Sequence, residues 1–233
     1  TISGNAGNDN LTGGNAADII NGGNDNDTID GNDGADTLTG GSGNDTYVFN
    51  TNDVDSGESI IEASSGGTDT ISIATSTNFS AMSGASFDEI EIIQFGGSGL
   101  NAIFNTSQLG GETIELQEVV TGTSTLTINL DSVGEIVSFA NLSASTFTSG
   151  SDSIVIEGSS GSDTITGPNI ASTLDGNSGV DTIIGGSQSD TIWGGIGGDT
   201  ITGNGGADIF VWTGNASYSG ITASTADTIT DFL

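Results

Sequence analysis

The sequence predicts an all-β fold in which two right-handed parallel β-roll blocks flank a parallel β-solenoid segment. Three observations predict it: a nine-residue repeat at both ends, a short β-forming triplet in each repeat, and an acidic composition without basic side chains. Self-similarity at a fixed period is typical of stacked repeat architectures. The repeats divide the chain into an N-terminal β-roll at 1–49, a β-rich middle segment at 50–157, and a C-terminal β-roll with a closing strand at 158–233.

The repeat is a nonapeptide with an aspartate at position six and a large apolar residue at position eight. It runs from Gly4, where the second unit reads GGNAADIIN, and returns from Gly158, where the first unit reads GSSGSDTIT. Position six fails only at Ser172. The aspartates at position six are Asp9, Asp18, Asp27, Asp36, Asp45, Asp163, Asp181, Asp190, Asp199 and Asp208.

Each part of the repeat has a structural interpretation. The glycines accept positive φ and so favour a tight turn. The following triplet, often Thr-Ile-Thr, predicts a short strand whose apolar residue faces inward. Two nonapeptides form one coil of 18 residues, so aspartates one coil apart should stack at about 5 Å. The predicted rows are Asp9, Asp27 and Asp45; Asp18 and Asp36; Asp163, Asp181 and Asp199; and Asp190 and Asp208.

The charge of the chain indicates what holds these rows together. Thirty-one acidic side chains and no Lys, Arg or His give a formal net charge of −31. Stacked carboxylates without any protein cation require an external one. Carboxylate and turn-carbonyl oxygens are hard ligands that favour Ca²⁺, whereas Mg²⁺ tends to keep its waters. The alternative is that the aspartates only accept hydrogen bonds from turn amides; their common register favours several calcium ions bound by the position-six aspartates.

These units resemble the RTX (repeats-in-toxin) calcium-binding nonapeptides, GGxGxDxUx, over residues 1–49 and 158–212. The resemblance implies a parallel β-roll, calcium between successive turns, and export through a type I secretion channel with folding outside the cell. Ser172 departs from the pattern, which puts one site in doubt. The second glycine is replaced at Asn5, Asn32, Ser159, Asn177 and Asn204, and asparagine tolerates the left-handed conformation.

The middle segment loses the nonapeptide but keeps alternating apolar clusters such as TLTINL, which indicate strands. We expect a wider parallel solenoid stacked continuously on both β-rolls. Asp53, Asp55 and Glu58 form the best additional acidic cluster, interpreted either as a solvated loop or as a further calcium site. Asp69 and Asp152 repeat the turn chemistry and are secondary ligand candidates.

The composition excludes most catalytic mechanisms. Without His, Cys, Lys or Arg, no triad, thiol, Schiff-base or phosphate-clamp chemistry is available. Carboxylate pairs remain, but Glu89 with Glu91, and Glu115 with Glu118, are expected to be solvent-facing strand residues. The chain is therefore predicted not to be an enzyme. A uniformly negative surface excludes nucleic acid as a partner, and no apolar run is long enough for membrane insertion.

These features predict a secreted, extracellular calcium-binding structural protein of a bacterial cell surface. It would fold on Ca²⁺ and assemble into a surface layer, matrix or filament. One alternative is a calcium-stiffened spacer or secretion module of a larger RTX toxin, protease or adhesin. The other is a surface-, sugar- or ice-binding module that uses the flat faces of the solenoid, where ladders of outward threonines could fit ice. The expected partners are calcium ions, together with copies of the chain or neighbouring domains of a larger exoprotein.

Overall fold

The structure is a computed structural model that describes residues 1–62, 66–82, 87–109, 113–147, 151–211 and 228–231. This part of the chain is nearly all β, and its parallel strands wind into a β-solenoid of about nine turns. The predicted fold class is thus confirmed. Within the described ranges the only α-helix is the four-residue α1 (Thr106–Leu109), and no helix there is long and apolar enough to cross a membrane.

The strands are short, as the triplets predict. The N-terminal roll contains β1 (Ile2–Ala6), β2 (Asn10–Thr12), β3 (Ile19–Asn24), β4 (Thr28–Asp30), β5 (Thr37–Ser42) and β6 (Thr46–Phe49). The middle segment contains β7 (Ser59–Ile60), β8 (Thr70–Ile73), β9 (Thr77–Asn78), β10 (Ile92–Phe95), β11 (Asn101–Asn105), β12 (Glu115–Glu118), β13 (Thr125–Asn129), β14 (Ile136–Ser138), β15 (Ser143–Ala144) and β16 (Ser153–Glu157). The C-terminal roll contains β17 (Thr164–Thr166), β18 (Thr173–Asp175), β19 (Thr182–Ile184), β20 (Thr191–Trp193), β21 (Thr200–Thr202), β22 (Ile209–Val211) and β23 (Thr228–Ile229).

Four parallel sheets form the faces of the solenoid. Sheet 1 has the order β1-β3-β5-β7, and sheet 2 the order β2-β4-β6-β8-β10-β12-β15. Sheet 3 has the order β9-β11-β13-β16-β18-β20-β22, and sheet 4 the order β14-β17-β19-β21-β23. Sheet 2 continues from the N-terminal roll into the middle segment, and sheet 3 continues from there into the C-terminal roll. The three segments therefore stack continuously.

Coil length separates the rolls from the middle segment. In the rolls, Leu11 pairs with Ile29 and Ile165 with Ile183, which is the predicted coil of 18 residues. In the middle segment, Ile71 pairs with Ile93 and Ile128 with Ile156. These longer coils enclose a wider interior, which phenylalanines fill: the Phe79 ring stacks on Phe104 with centroids 4.5 Å apart.

The position-eight side chains form the core of both rolls. Ile29, Leu38, Ile165 and Ile183 are each fully buried, while the threonines on either side are half-buried or exposed. Full burial of such a side chain stabilises the fold by about 1.5–3 kcal/mol. The alternation predicted from the Thr-Ile-Thr triplets is therefore confirmed.

Asparagine takes the glycine conformation at the second repeat position. Asn5, Asn32, Asn177 and Asn204 have φ values of 74°, 59°, 63° and 64°, so the tolerance predicted for asparagine is confirmed at these turns. The predicted closing strand lies in a region of which the structure describes only residues 228–231; there, β23 pairs with β21.

Candidate metal centre

The position-six aspartates form hydrogen-bonded rows. In the N-terminal roll, the amide of Asp9 donates to Oδ1 of Asp27 (2.8 Å), and that of Asp27 donates to Oδ1 of Asp45 (2.7 Å). The amide of Asp18 donates to Oδ1 of Asp36 in the opposite row (2.7 Å). Each carboxylate therefore fixes the peptide of the coil before it.

The C-terminal roll has the same arrangement. The amide of Asp163 donates to Oδ1 of Asp181 (2.8 Å), and that of Asp181 to Oδ1 of Asp199 (2.9 Å). In the other row, the amide of Asp190 donates to Oδ1 of Asp208 (2.9 Å). The structure thus brings the predicted aspartates together in the same rows that the 18-residue coil predicts.

The N-terminal rows extend beyond the repeats, into coils whose sequence does not follow the nine-residue repeat. The amide of Asp45 donates to Oδ1 of Asp69 (2.8 Å), and that of Asp69 to Oε2 of Glu91 (2.7 Å). In the opposite row, the amide of Asp36 donates to Oε2 of Glu58 (2.9 Å). The secondary candidate Asp69 therefore continues the row that begins at Asp9.

The C-terminal rows begin in the middle segment in the same way. The amide of Glu135 donates to Oδ1 of Asp163 (2.8 Å), and the amide of Ser124 donates to Oδ1 of the other secondary candidate, Asp152 (2.9 Å). Sequence reasoning missed Glu91 and Glu135 as row members. The available signal is positional, because each stands directly before a strand, as every position-six aspartate does.

Several expectations for acidic side chains in the middle segment are wrong. Asp53 and Glu58 are only 5% and 2% exposed, so they do not belong to a solvated loop; Asp55 alone is exposed. Glu89 lies in a turn with φ 65° rather than on a strand. Glu118 is buried and accepts hydrogen bonds from Ser124 Oγ and the Gly122 amide.

The second oxygen has no hydrogen-bond partner in several of the row carboxylates, whereas Oδ2 of Asp18, Asp163 and Asp190 accepts a hydrogen bond from the amide of Gly14, Ser159 and Gly186, respectively. Oδ2 of Asp9, Asp27, Asp36, Asp45 and Asp181 is buried and accepts no hydrogen bond. A buried carboxylate oxygen without a partner is costly, and the chain has no basic side chain to supply one. The alternative interpretation, hydrogen bonding to turn amides, thus describes Oδ2 of Asp18, Asp163 and Asp190, whereas Oδ2 of the five aspartates without a partner is left to an external cation.

A backbone carbonyl lies beside this free oxygen. An ideal Cβ on Gly22, the first residue of its repeat, would lie 2.2 Å from Asp27 Oδ2 and 2.8 Å from the carbonyl oxygen of Gly40, one coil later. On Gly4 it would lie 2.5 Å from Asp9 Oδ2 and 2.6 Å from the Gly22 carbonyl oxygen.

The C-terminal roll matches: an ideal Cβ on Gly176 would lie 2.7 Å from Asp181 Oδ2 and 2.5 Å from the Gly194 carbonyl oxygen. Only glycine leaves room for these oxygens. Carboxylate and carbonyl oxygens from two successive coils make up the ligand set that Ca²⁺ prefers. Within the described residues, no three acidic side chains are grouped to hold a metal ion alone, so each centre needs carbonyl ligands as well.

Burial disfavours the charged form of three of these carboxylates. It raises the pKa of Asp181 and Asp69 to about 6 and that of Glu58 to about 8. The neighbouring carboxylates in each row push these pKa values further in the same direction. A divalent cation would relieve both the desolvation and the repulsion.

Ser172 keeps its place in a row without supplying a charge. Its amide and its Oγ both donate to Oδ1 of Asp190, at 2.8 and 2.9 Å. At Gly167, the first residue of this repeat, an ideal Cβ would meet the Leu174 side chain rather than a carboxylate. Serine at position six therefore removes a carboxylate from the row but keeps the hydrogen bond from its own amide to Asp190.

The comparison with known families agrees with this geometry. The model of the RTX calcium-binding nonapeptide repeat matches four stretches of the chain: residues 1–29, 12–47, 148–167 and 175–210. The chain carries RTX calcium-binding repeats. No curated protein and no solved structure matches it. The RTX matches cover the rows of both rolls and omit the turn around Ser172, and such repeats imply a Ca²⁺-binding β-roll protein.

Proposed function

We propose that this RTX chain is an extracellular structural protein whose β-rolls fold on Ca²⁺ and whose copies assemble into a surface layer, matrix or filament. One observation carries the proposal: five row aspartates keep a buried Oδ2 without a hydrogen-bond partner, namely Asp9, Asp27, Asp36, Asp45 and Asp181, in a chain of net charge −31 without a basic side chain. An exported protein meets abundant calcium outside the cell, and weak extracellular sites bind it at about 10⁻⁴–10⁻³ M.

Calcium binding and coil stacking would be one event. The oxygens beside Gly22 come from Asp27 in one coil and from Gly40 in the next. A site of this kind does not exist in the unfolded chain, so the free energy of binding becomes free energy of folding. Repetition along the rows would stiffen the solenoid over the length of each roll.

An exposed apolar stripe supports assembly. Val133, Ile136, Val180 and Ile196 are 73%, 85%, 63% and 52% exposed. Ile136 lies on β14, and the other three lie in the turns that precede β14, β19 and β21 of sheet 4. Gly161 of the intervening coil packs against Val133. Apolar side chains that follow one face of a charged protein favour contact with another protein. Bound calcium would lower the repulsion between like-charged copies.

We also propose that the chain has no catalytic role. Two of the acids that carboxylate chemistry would need are already engaged, since Glu91 accepts a hydrogen bond from Asp69 and Glu118 accepts one from Ser124. The chain contains no His, Cys, Lys or Arg. A structural role based on calcium binding is therefore the function that the acidic residues support best.

The test is light scattering and circular dichroism of the purified chain, titrated with Ca²⁺ after chelation. We expect a strand spectrum to appear with Ca²⁺, far less with Mg²⁺, and the particle mass to rise afterwards. The double variant Val133→Ser/Ile136→Ser should fold but assemble less. Val119→Ser/Val120→Ser, which changes exposed residues away from the stripe, is the matched control. A folded chain that stays monomeric at saturating calcium would contradict assembly and favour the spacer function.

A further inference from the structure

Glu62 occupies the place of a repeat glycine. In sheet 1, Leu38 of β5 pairs with Ile60 of β7, and the Ile61 amide donates to the Leu38 carbonyl oxygen (2.8 Å). Gly40 follows Leu38 by two residues, as Glu62 follows Ile60. Glu62 therefore takes the place of the first glycine, Gly40, in the coil that stacks on the last N-terminal repeat.

The Glu62 side chain reaches back onto that repeat. Its Oε1 accepts a hydrogen bond from the Gly40 amide (2.9 Å), and its Oε2 accepts one from the Gly41 amide (3.4 Å). The Gly40 amide also donates to the Tyr47 hydroxyl (2.6 Å). These contacts hold the carboxylate of Glu62 over the turn that contains Asp45.

Two carboxylate oxygens converge at this turn. An ideal Cβ on Gly40 would lie 2.3 Å from Asp45 Oδ2 and 2.5 Å from Glu62 Oε1. At Gly22 and Gly4 the second oxygen is the backbone carbonyl of the next coil, so Glu62 supplies a side-chain oxygen where the repeats use a carbonyl. Asp45 is 1% exposed and its Oδ2 has no hydrogen-bond partner. A buried, unpartnered oxygen close to a second carboxylate is an arrangement that a cation would stabilise.

We propose that Asp45 and Glu62 bind a calcium ion that closes the N-terminal β-roll against the middle segment. The proposal rests on the calcium binding of the proposed function and adds a ligand outside the repeats. Calcium affinity rises with the charge of the ligand set, so this centre should bind more tightly than one built from a single carboxylate and carbonyls. Asp69, whose charge acts on Glu62, adds to the negative potential there.

The C-terminal roll has an acidic residue at the corresponding place. Thr200 of β21 pairs with Thr228 of β23, which sets Asp231 beside Gly203. Oδ1 of Asp231 accepts from the Gly203 amide (2.8 Å), and Oδ2 accepts from the Asn204 amide (2.6 Å). A carboxylate that follows the last repeat and binds its first two amides is thus common to both rolls.

The experiment is calcium stoichiometry of the full chain by equilibrium dialysis and native mass spectrometry. Glu62→Gln keeps an oxygen for the Gly40 amide but removes the charge, and it should lose one ion per chain, the one bound at the lowest calcium concentration. Glu89→Gln, an equal change of charge at an exposed turn residue, should keep the wild-type number.

The outcomes separate this inference from the proposed function. A wild-type chain that binds no calcium overturns both. Wild-type and Glu62→Gln chains with equal ion numbers and equal affinities overturn only the Glu62 centre. If Glu62→Gln fails to give the wild-type circular dichroism in calcium, Glu62→Asp replaces it, because that variant keeps the charge and withdraws the oxygen by one methylene. Weakening of the tightest site in Glu62→Asp supports the centre, and unchanged affinity overturns it.

Discussion

The amide of Asp27 donates a 2.7 Å hydrogen bond to Oδ1 of Asp45, the aspartate one coil later, while Oδ2 of Asp45 stays buried without a partner. One carboxylate therefore has two roles. One oxygen sets the register between coils, and the other is left for a cation. The two roles are separable by mutation, because asparagine keeps an oxygen acceptor and loses the charge.

Replacing a row aspartate by asparagine should remove calcium more than it removes structure. We expect Asp27→Asn and Asp181→Asn, which lie inside rows with neighbours on both sides, to lose more bound calcium than Asp9→Asn. The corresponding alanine variants should lose the strand spectrum as well, since the amide donor of the preceding coil is then left unsatisfied at a cost of about 1–3 kcal/mol. Dialysis and circular dichroism measure the two effects. Equal calcium loss at Asp9 and Asp27 would show that row position does not matter.

The calcium-free fold should be stabilised by acid. Burial raises the pKa of Glu62 to about 7 and of Glu58 to about 8 in the folded chain. The folded state then binds protons more tightly than the unfolded state, so its stability is lost as the pH rises from the ordinary glutamate range through these values. Circular dichroism of calcium-free chain should show strand structure near pH 5 that declines toward pH 8. Saturating calcium should flatten the profile. Strand content that rises with pH in calcium-free chain would contradict the burial of these groups.

Coil length decides how much of the site the sequence predicts. In the rolls the frame repeats every 18 residues, so the partnership of Asp27 with Asp45 follows from counting. In the middle segment the step is 24 residues from Asp45 to Asp69 and 22 from Asp69 to Glu91. No fixed period links these residues, so the place of Glu91 in the row follows from its position before β10 and from the hydrogen bond that it accepts from Asp69.

The role of Glu62 could not be predicted for a different reason. Its neighbours in sequence carry no repeat, and its carboxylate acts on Gly40 and Asp45, which precede it by about one coil. Only the pairing of Leu38 with Ile60 sets it over the last repeat. The burial of Asp53 and Glu58 could not be predicted from the sequence either, because the burial of an acidic loop depends on the coil that packs against it.

The first glycine of a repeat should not tolerate a methyl group. Gly22→Ala would drive a Cβ to 2.2 Å from Asp27 Oδ2, and overpacking of this kind costs about 1–3 kcal/mol. At Gly14 the nearest atom to an ideal Cβ is Asp18 Oδ2, at 3.8 Å, so Gly14→Ala is the matched control and should be neutral. Urea unfolding in saturating calcium measures both. Equal unfolding midpoints would contradict the close approach of carboxylate and turn.

Ser172→Asp should add a calcium site to the C-terminal roll. Ser172 is 7% exposed and already occupies the position-six place before β18, with its amide bonded to Asp190 Oδ1 at 2.8 Å. An aspartate there keeps that backbone bond and restores the missing carboxylate in the row of Asp190. Without calcium the new charge is buried beside Asp190, whose pKa burial already raises, so the calcium-free fold should be weaker than wild type.

The expected result for Ser172→Asp is one more ion per chain by native mass spectrometry, together with a steeper dependence of the strand spectrum on calcium. Ser172→Asn, which has the same shape without the charge, is the control and should bind the wild-type number. A folded Ser172→Asp chain with the wild-type ion number would show that a position-six carboxylate does not by itself make a site. The backbone carbonyl beside the carboxylate would then decide whether a calcium ion binds. At Gly167 the nearest carbonyl oxygen, that of Ile184, lies 3.5 Å from the ideal Cβ. At Gly185 the Gly203 carbonyl oxygen lies only 2.5 Å from the ideal Cβ.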